Sequence, residues 1–192
     1  MKKTHYLRFS FCCITLFGFL FGCNKASKQD DEIITNPLFT LAKTEYAVMA
    51  EKALMYFANF DYDAWADMMA DNVEYDFPDG DENTRTKLIG KPAVVIWWKN
   101  WHKTAGASSM TMSGFNHFPL NVTGDANGGV TKGIYVFSYF SNKIMYKGKP
   151  VGIRMNFVTH FNADKKIDRY ITYYDRNVLI KASGKDVLKV RD

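Results

Sequence analysis

Cysteine is confined to one end of this chain: all three, Cys12, Cys13 and Cys23, fall within the first 23 of 192 residues. From Asn24 onward there is no thiol. That excludes a disulfide framework, a thiolate zinc site, a redox pair and a cysteine nucleophile from the remainder, which must be held together by its core alone. No two histidines stand at metal-ligand spacing, and neither a G-x-S-x-G elbow nor a phosphate loop occurs, so no metal and no cofactor is expected. The acidic stretch Pro78-Asp79-Gly80-Asp81-Glu82-Asn83-Thr84 lacks the distal glutamate of an EF-hand and reads as a solvated loop. Repeats and low-complexity tracts are absent. Strong charge of one sign is missing too: of the formal +5, Lys2, Lys3 and Arg8 supply three, leaving 5 − 3 = +2 on the rest, and no nucleic acid is expected as a partner.

The longest apolar run, Phe9 to Phe21, is too short for a stable transmembrane span. Preceded by three cationic residues, it has the form of a secretory signal. It ends in Leu20-Phe21-Gly22-Cys23, which resembles the bacterial lipobox, where cleavage before the cysteine leaves a lipidated N-terminus. Residues 1–22 are therefore expected to be a lipoprotein signal peptide, with Cys23 the lipidated residue. Asn24 to Thr35 is polar and without hydrophobic period, so 23–35 reads as a flexible tether. Asn24 is not the aspartate associated with inner-membrane retention, and the resemblance implies a cell-envelope lipoprotein of the outer membrane, facing the periplasm or the surface. Its only contact with the membrane is expected to be the lipid.

Residues 36–181 remain as one domain of ample size for a core, with 182–192 as a C-terminal tail. Asn36-Pro37 can open a helix, in which Tyr46, Met49, Ala50, Ala53, Phe57 and Phe60 recur at helical spacing. Asp61 starts a second helix with Trp65, Met68 and Met69 as apolar contacts. Val73 to Phe77 alternates, with Val73, Tyr75 and Phe77 inward and Glu74 and Asp76 outward. Gly90-Lys91-Pro92 begins a third helix, in which Val94, Trp98 and Trp101 share a face that Trp97 and His102 flank. Four long strands follow, from 109 to 122, 130 to 142, 151 to 161 and 167 to 175, as an antiparallel meander. Helices on one face of such a sheet make an α+β domain. If Ile167 and Ile171 face the core, Tyr173 and Asp175 share that side.

The segments Ala53 to Phe57 and Asp61 to Tyr75, Gly90 with the helix after it, and the closing strand Lys166 to Asp175 together resemble SnoaL-like domains of the nuclear transport factor 2-like superfamily, over roughly Phe39 to Leu179. The resemblance implies a cone: a curved antiparallel sheet packed on three N-terminal helices, with an apolar pocket at its open end. It also implies that Asp175, near the end of the last strand, could serve as general acid or base, as a carboxylate does there in the cyclases. His117 and His102 are weaker candidates for a second titrating group.

The pocket is expected to be lined by Trp65, Tyr75, Phe77, Trp98, Trp101, Met155, Phe157 and Tyr173. Three functions stay open on these residues. The domain binds a small apolar or aromatic molecule; or it is an isomerase, cyclase or dehydratase using Asp175; or it is an interaction module that pairs with a second copy through the outer sheet face, using Tyr170, Thr172, Tyr174, Asn156 and Val158.

Overall fold

In the computed structural model the described residues are 38–80, 84–124, 130–184 and 186. The signal segment, Cys23, the tether and Asn36-Pro37 lie outside them, as do Asp81 to Asn83 of the acidic loop and most of the tail. The chain divides into Met1–Thr35 and Asn36–Asp192, and the second unit is the one described.

The first helix, α1, spans Glu45–Ala58 and buries Ala50, Ala53, Leu54, Phe57 and Ala58, the i, i+3, i+4, i+7 face that its sequence spells out. It starts later than Asn36-Pro37 suggests. Phe39–Leu41 is instead a short edge strand, β1, with Ala42 N–H donating to Pro119 O at 3.0 Å and Thr123 N–H to Leu38 O at 2.8 Å. An available sheet edge outweighs helix propensity in three residues that include two with strand preference.

Asp61 caps the second helix, α2 (Tyr62–Asp67), by accepting from Ala64 N–H at 3.1 Å. Met69 does not extend it, but opens strand β2 (Met69–Asp76). After β3 (Lys87–Ile89), Gly90 at φ 90° turns the chain into α3 (Lys91–Ala105), with Pro92 in the first turn and Gly106 closing it in the left-handed conformation.

The meander is β4 (Ala107–Val122), β5 (Gly133–Tyr146), β6 (Lys149–Phe161) and β7 (Ile167–Tyr174). β5 and β6 run further than the sequence suggests, because Lys147 and Gly148, both at positive φ, close them with a two-residue turn. At the next turn the Asn162 carboxamide oxygen accepts from Asp164 and Lys166 N–H, both at 3.0 Å.

The seven strands form one curved, unclosed sheet in the order β1-β4-β5-β6-β7-β2-β3. It is mixed rather than antiparallel throughout: β2 pairs with β7 in parallel, the connection between them running through α3 and the whole meander rather than through a hairpin. The helices lie against the concave face, which makes the domain the α+β cone expected from the sequence. A fourth helix, α4 (Arg176–Ser183), follows β7 and buries Leu179.

One irregularity decides which side chains enter the cone. Opposite His160 and Phe161, β7 carries Arg169 and Ile167, so one step on β6 is matched by two on β7, and Asp168 is the extra residue. Ile167 faces the core, and beyond the bulge the phase reverses: Tyr170, Thr172 and Tyr174 point inward beside Phe157 and Met155. The even-numbered residues expected on the outer face are thus inside. The outer face carries Ile171 and Tyr173, in line with Val158 and Asn156, and Tyr139 and Phe118 stand exposed on the same side. His160 sits there as well, paired with Asp168 beneath Tyr135.

Candidate functional site

The interior of the cone is an aromatic stack. Phe57 meets Trp98 edge-on at 4.7 Å between ring centroids, Trp98 meets Trp101 at 5.2 Å, and Tyr75 touches Phe77, Trp98, Phe157 and Tyr170. Trp98 and Trp101, three residues apart on α3, project side by side toward β5 and β6.

Two of the three fully enclosed indoles differ from the third in one respect. Trp65 donates to the Tyr170 hydroxyl at 2.9 Å. The indole N–H groups of Trp98 and Trp101, each residue only 4 % exposed, have no acceptor among the described residues. Neither does the carbonyl oxygen of Asn142 find a donor, on β5 at 1 % exposure, and its amide nitrogen reaches only the sulfurs of Met110 and Met155, at 3.8 Å each. Buried polar atoms are almost always paired, because stripping water from one without replacement costs about 1–3 kcal/mol. Three such atoms here belong to residues lining one cavity of about 20 Å³, whose other walls are Phe57, Met110, Ile144, Met155, Phe157, Tyr174 and Leu179.

That volume suits about one water molecule, against the ~150 Å³ of a dry cavity that accepts benzene. α4 packs against the sheet at this end and contributes Leu179 to the cavity wall. Asp175 starts this helix. It is the N-cap of α4, exposed, and its carboxylate accepts from Asn177 N–H at 2.9 Å.

The structure therefore sorts the expected residues. Trp98, Trp101, Met155 and Phe157 line the cavity. Trp65, Tyr75 and Phe77 lie in the surrounding core, fully buried. Tyr173 does not belong with them: it is on the outer face, 52 % exposed, under the Arg85 guanidinium at 4.8 Å. Asp175 likewise stands outside the cavity, and the cause of both corrections is the bulge at Asp168 followed by the start of α4. His117 bridges the Ser138 hydroxyl (2.8 Å) and Glu51 (3.1 Å), tying the sheet to α1, and His102 stacks on Phe60 at 3.6 Å. Neither histidine lines the cavity.

Phe57, Asn142, Tyr174, Met110, Ile144 and Leu179 are the lining residues that sequence reasoning missed. Asn142 was legible in principle, since Val136, Ser138, Phe140, Asn142 and Ile144 keep strict alternation and make it the one amide in that inward row. Ending the strand at Asn142 concealed it.

No carboxylate or imidazole is among the lining residues. Burial pushes the Tyr170 and Tyr174 phenols well above their ordinary range, so Tyr174 meets the cavity as a neutral hydroxyl. Chemically, the arrangement offers an apolar enclosure with hydrogen-bonding groups at fixed positions. It holds no proton carrier that works near neutral pH.

No family model matches the chain, and no curated protein does. Solved structures do. An NTF2-like protein from Anabaena variabilis superposes with a TM-score of 0.51 at 17 % identity, covering 70 % of this chain and 92 % of its own. A protein from Xanthomonas campestris, provisionally named a polyketide cyclase, gives 0.53 at 14 % identity, over 73 % of this chain and 97 % of its own. Another from Shewanella putrefaciens, provisionally named a SnoaL-like polyketide cyclase, gives 0.50 at 10 %, over 73 % and 86 %. At such identities the likeness is one of fold: the domain has the cone fold that these NTF2-like and SnoaL-like structures share.

Proposed function

We propose that this chain is a lipid-anchored SnoaL-like domain that binds a small apolar or aromatic molecule inside the cone, in the space that Leu179 of α4 fills when the site is closed. The observation that carries this reading is the pair of buried, unpartnered indole N–H groups of Trp98 and Trp101 beside the equally unpartnered carbonyl of Asn142. A core selected only for packing would place phenylalanine or leucine there and avoid the desolvation cost. The catalytic alternative is less well supported, since Asp175 caps a helix at the surface and no carboxylate is among the residues lining the cavity.

Toluene, titrated into the 15N-labelled full-length chain, tests the reading. Saturable shifts of the Trp98 and Trp101 indole resonances are expected, with the Trp65 resonance, held by Tyr170, much less affected. Absence of any saturable shift at either indole counts against the site.

The anchor belongs to the same proposal. Leu20-Phe21-Gly22-Cys23 after a cationic and apolar leader supports lipidation of Cys23, and a polar tether would hold the domain at the outer membrane. Metabolic labelling with palmitate is expected to mark the chain and not Cys23→Ala; no label on the unaltered chain would refute the anchor.

A further inference from the structure

The three unpartnered atoms do more than mark a site. They specify the chemistry of what enters it, provided the binding reading above holds. Two indole N–H groups can only donate, and the Asn142 carbonyl can only accept. Asn142 already turns its amide nitrogen toward two thioethers, which leaves its oxygen to look for a donor. A molecule that satisfies all three must therefore present both an acceptor and a donor to this one cavity. A hydroxyl group does both with one atom.

Charge narrows the choice further. Among the residues lining the cavity none is cationic, so a carboxylate or phosphate would be stripped of water without a counter-charge. No anionic side chain lines it either, and an ammonium would meet two indole N–H donors, the positive edges of their rings. The remaining walls are aromatic rings, aliphatic chains and thioethers, with Tyr174 a neutral phenol among them. We infer that the cone selects an uncharged molecule with a hydroxyl-bearing polar end and an apolar body: the oxygen accepts from Trp98 and Trp101, its hydrogen is donated to Asn142, and the body takes the place of Leu179.

Phenol, toluene and benzoate separate the possibilities at pH 8, where phenol is neutral and benzoate anionic. Titrations of the full-length chain, followed at the two indole resonances, are expected to give phenol an affinity about tenfold above toluene's, a difference of about 1.4 kcal/mol, and to show no saturation with benzoate. Trp101→Phe keeps a ring and removes one donor; Asn142→Leu removes the acceptor. For each, the ratio of phenol to toluene affinity is the readout, and it is expected to fall several-fold, whatever the altered wall does to both affinities together.

If Asn142→Leu fails to fold, Trp101→Phe alone decides. Equal affinities for phenol and toluene, saturable benzoate binding, or a phenol preference indifferent to Trp101→Phe would overturn the hydroxyl assignment and leave the apolar site standing. Failure of all three probes to reach the indoles would remove the site itself, and this inference with it.

Discussion

Trp98→Ala is expected to cost about 3–5 kcal/mol of folding stability, the range for deleting a large aromatic side chain from a packed core, and to lower Tm by on the order of 10 °C. The ring is a hub: it touches Phe57, Tyr75, Phe77, Trp97 and Trp101, so no single neighbour can move in to fill the space. The informative companion is a comparison of conservative changes. Trp65→Phe breaks the bond to Tyr170 and leaves that hydroxyl buried without its partner. Trp101→Phe removes an N–H that has no partner to lose. Chemical denaturation should therefore find Trp65→Phe clearly destabilising and Trp101→Phe near neutral, a difference of about 1–3 kcal/mol after similar losses of ring volume. Equal costs would mean that the Trp101 indole is satisfied in solution, and the argument for a ligand would lose its basis. A near-neutral Trp101→Phe would show a residue retained for something other than stability.

The second large effect lies on the opposite face of the sheet. Asp76 is fully buried, its Oδ2 held by Arg169 Nη2 at 2.8 Å and Nε at 2.9 Å, with Lys87 Nζ 3.6 Å from Oδ1. This cluster joins β2 to β3 on one side and to β7, its parallel partner, on the other. Asp76→Ala leaves two cations facing each other without the buried carboxylate between them, and is expected to cost about 3 kcal/mol. The lower end of the range for breaking a buried pair applies because Arg169 remains a quarter exposed and can recover some hydration. Asp76→Asn retains the hydrogen-bond acceptor and should lose less. A urea midpoint unchanged in Asp76→Ala would show that the cluster contributes nothing to holding β2 and β7 together.

Most of the architecture was readable because it rests on periodicity. The α3 face of Val94, Trp98 and Trp101, the capping role of Asp61, and the long β4 to β7 meander all follow from side-chain spacing and turn chemistry, and the structure has them. Three features escaped for definable reasons. A single bulged residue, Asp168, inverts the phase of the last strand; alternation alone cannot reveal it, since both phases of Ile167 to Tyr174 carry apolar or aromatic residues. That error moved Tyr173 and Asp175 into the cone on paper and left Tyr170, Thr172 and Tyr174 outside it. The parallel β2 and β7 pairing is non-local and has no local signature. Asp76 looked like an ordinary solvated acid on the polar side of a strand, and only its neighbours Lys87 and Arg169, contributed by two other strands, bury it.

The candidate site was less legible than the fold. Four of its walls, Trp98, Trp101, Met155 and Phe157, could be named from the sequence. Its polar member on the sheet and its closing helix could not, because a strand that ends at Asn142 hides the inward row this residue belongs to, and α4 has few apolar residues apart from Leu179, Val178 and Ile180. An exposed N-cap aspartate and a general base at a strand end share one sequence position here; only the dihedral angles after Tyr174 distinguish them.

The most direct measurement is the binding of toluene to Leu179→Ala. Shortening this side chain enlarges a 20 Å³ cavity without touching Trp98, Trp101 or Asn142, at an expected stability cost of about 2–3 kcal/mol. If α4 occupies the space that a ligand takes, the variant binds toluene at least tenfold more tightly than the unaltered chain and regains part of its lost stability when saturated. Weaker or unchanged binding would contradict the account, because Leu179 would then not occupy space that a ligand can take.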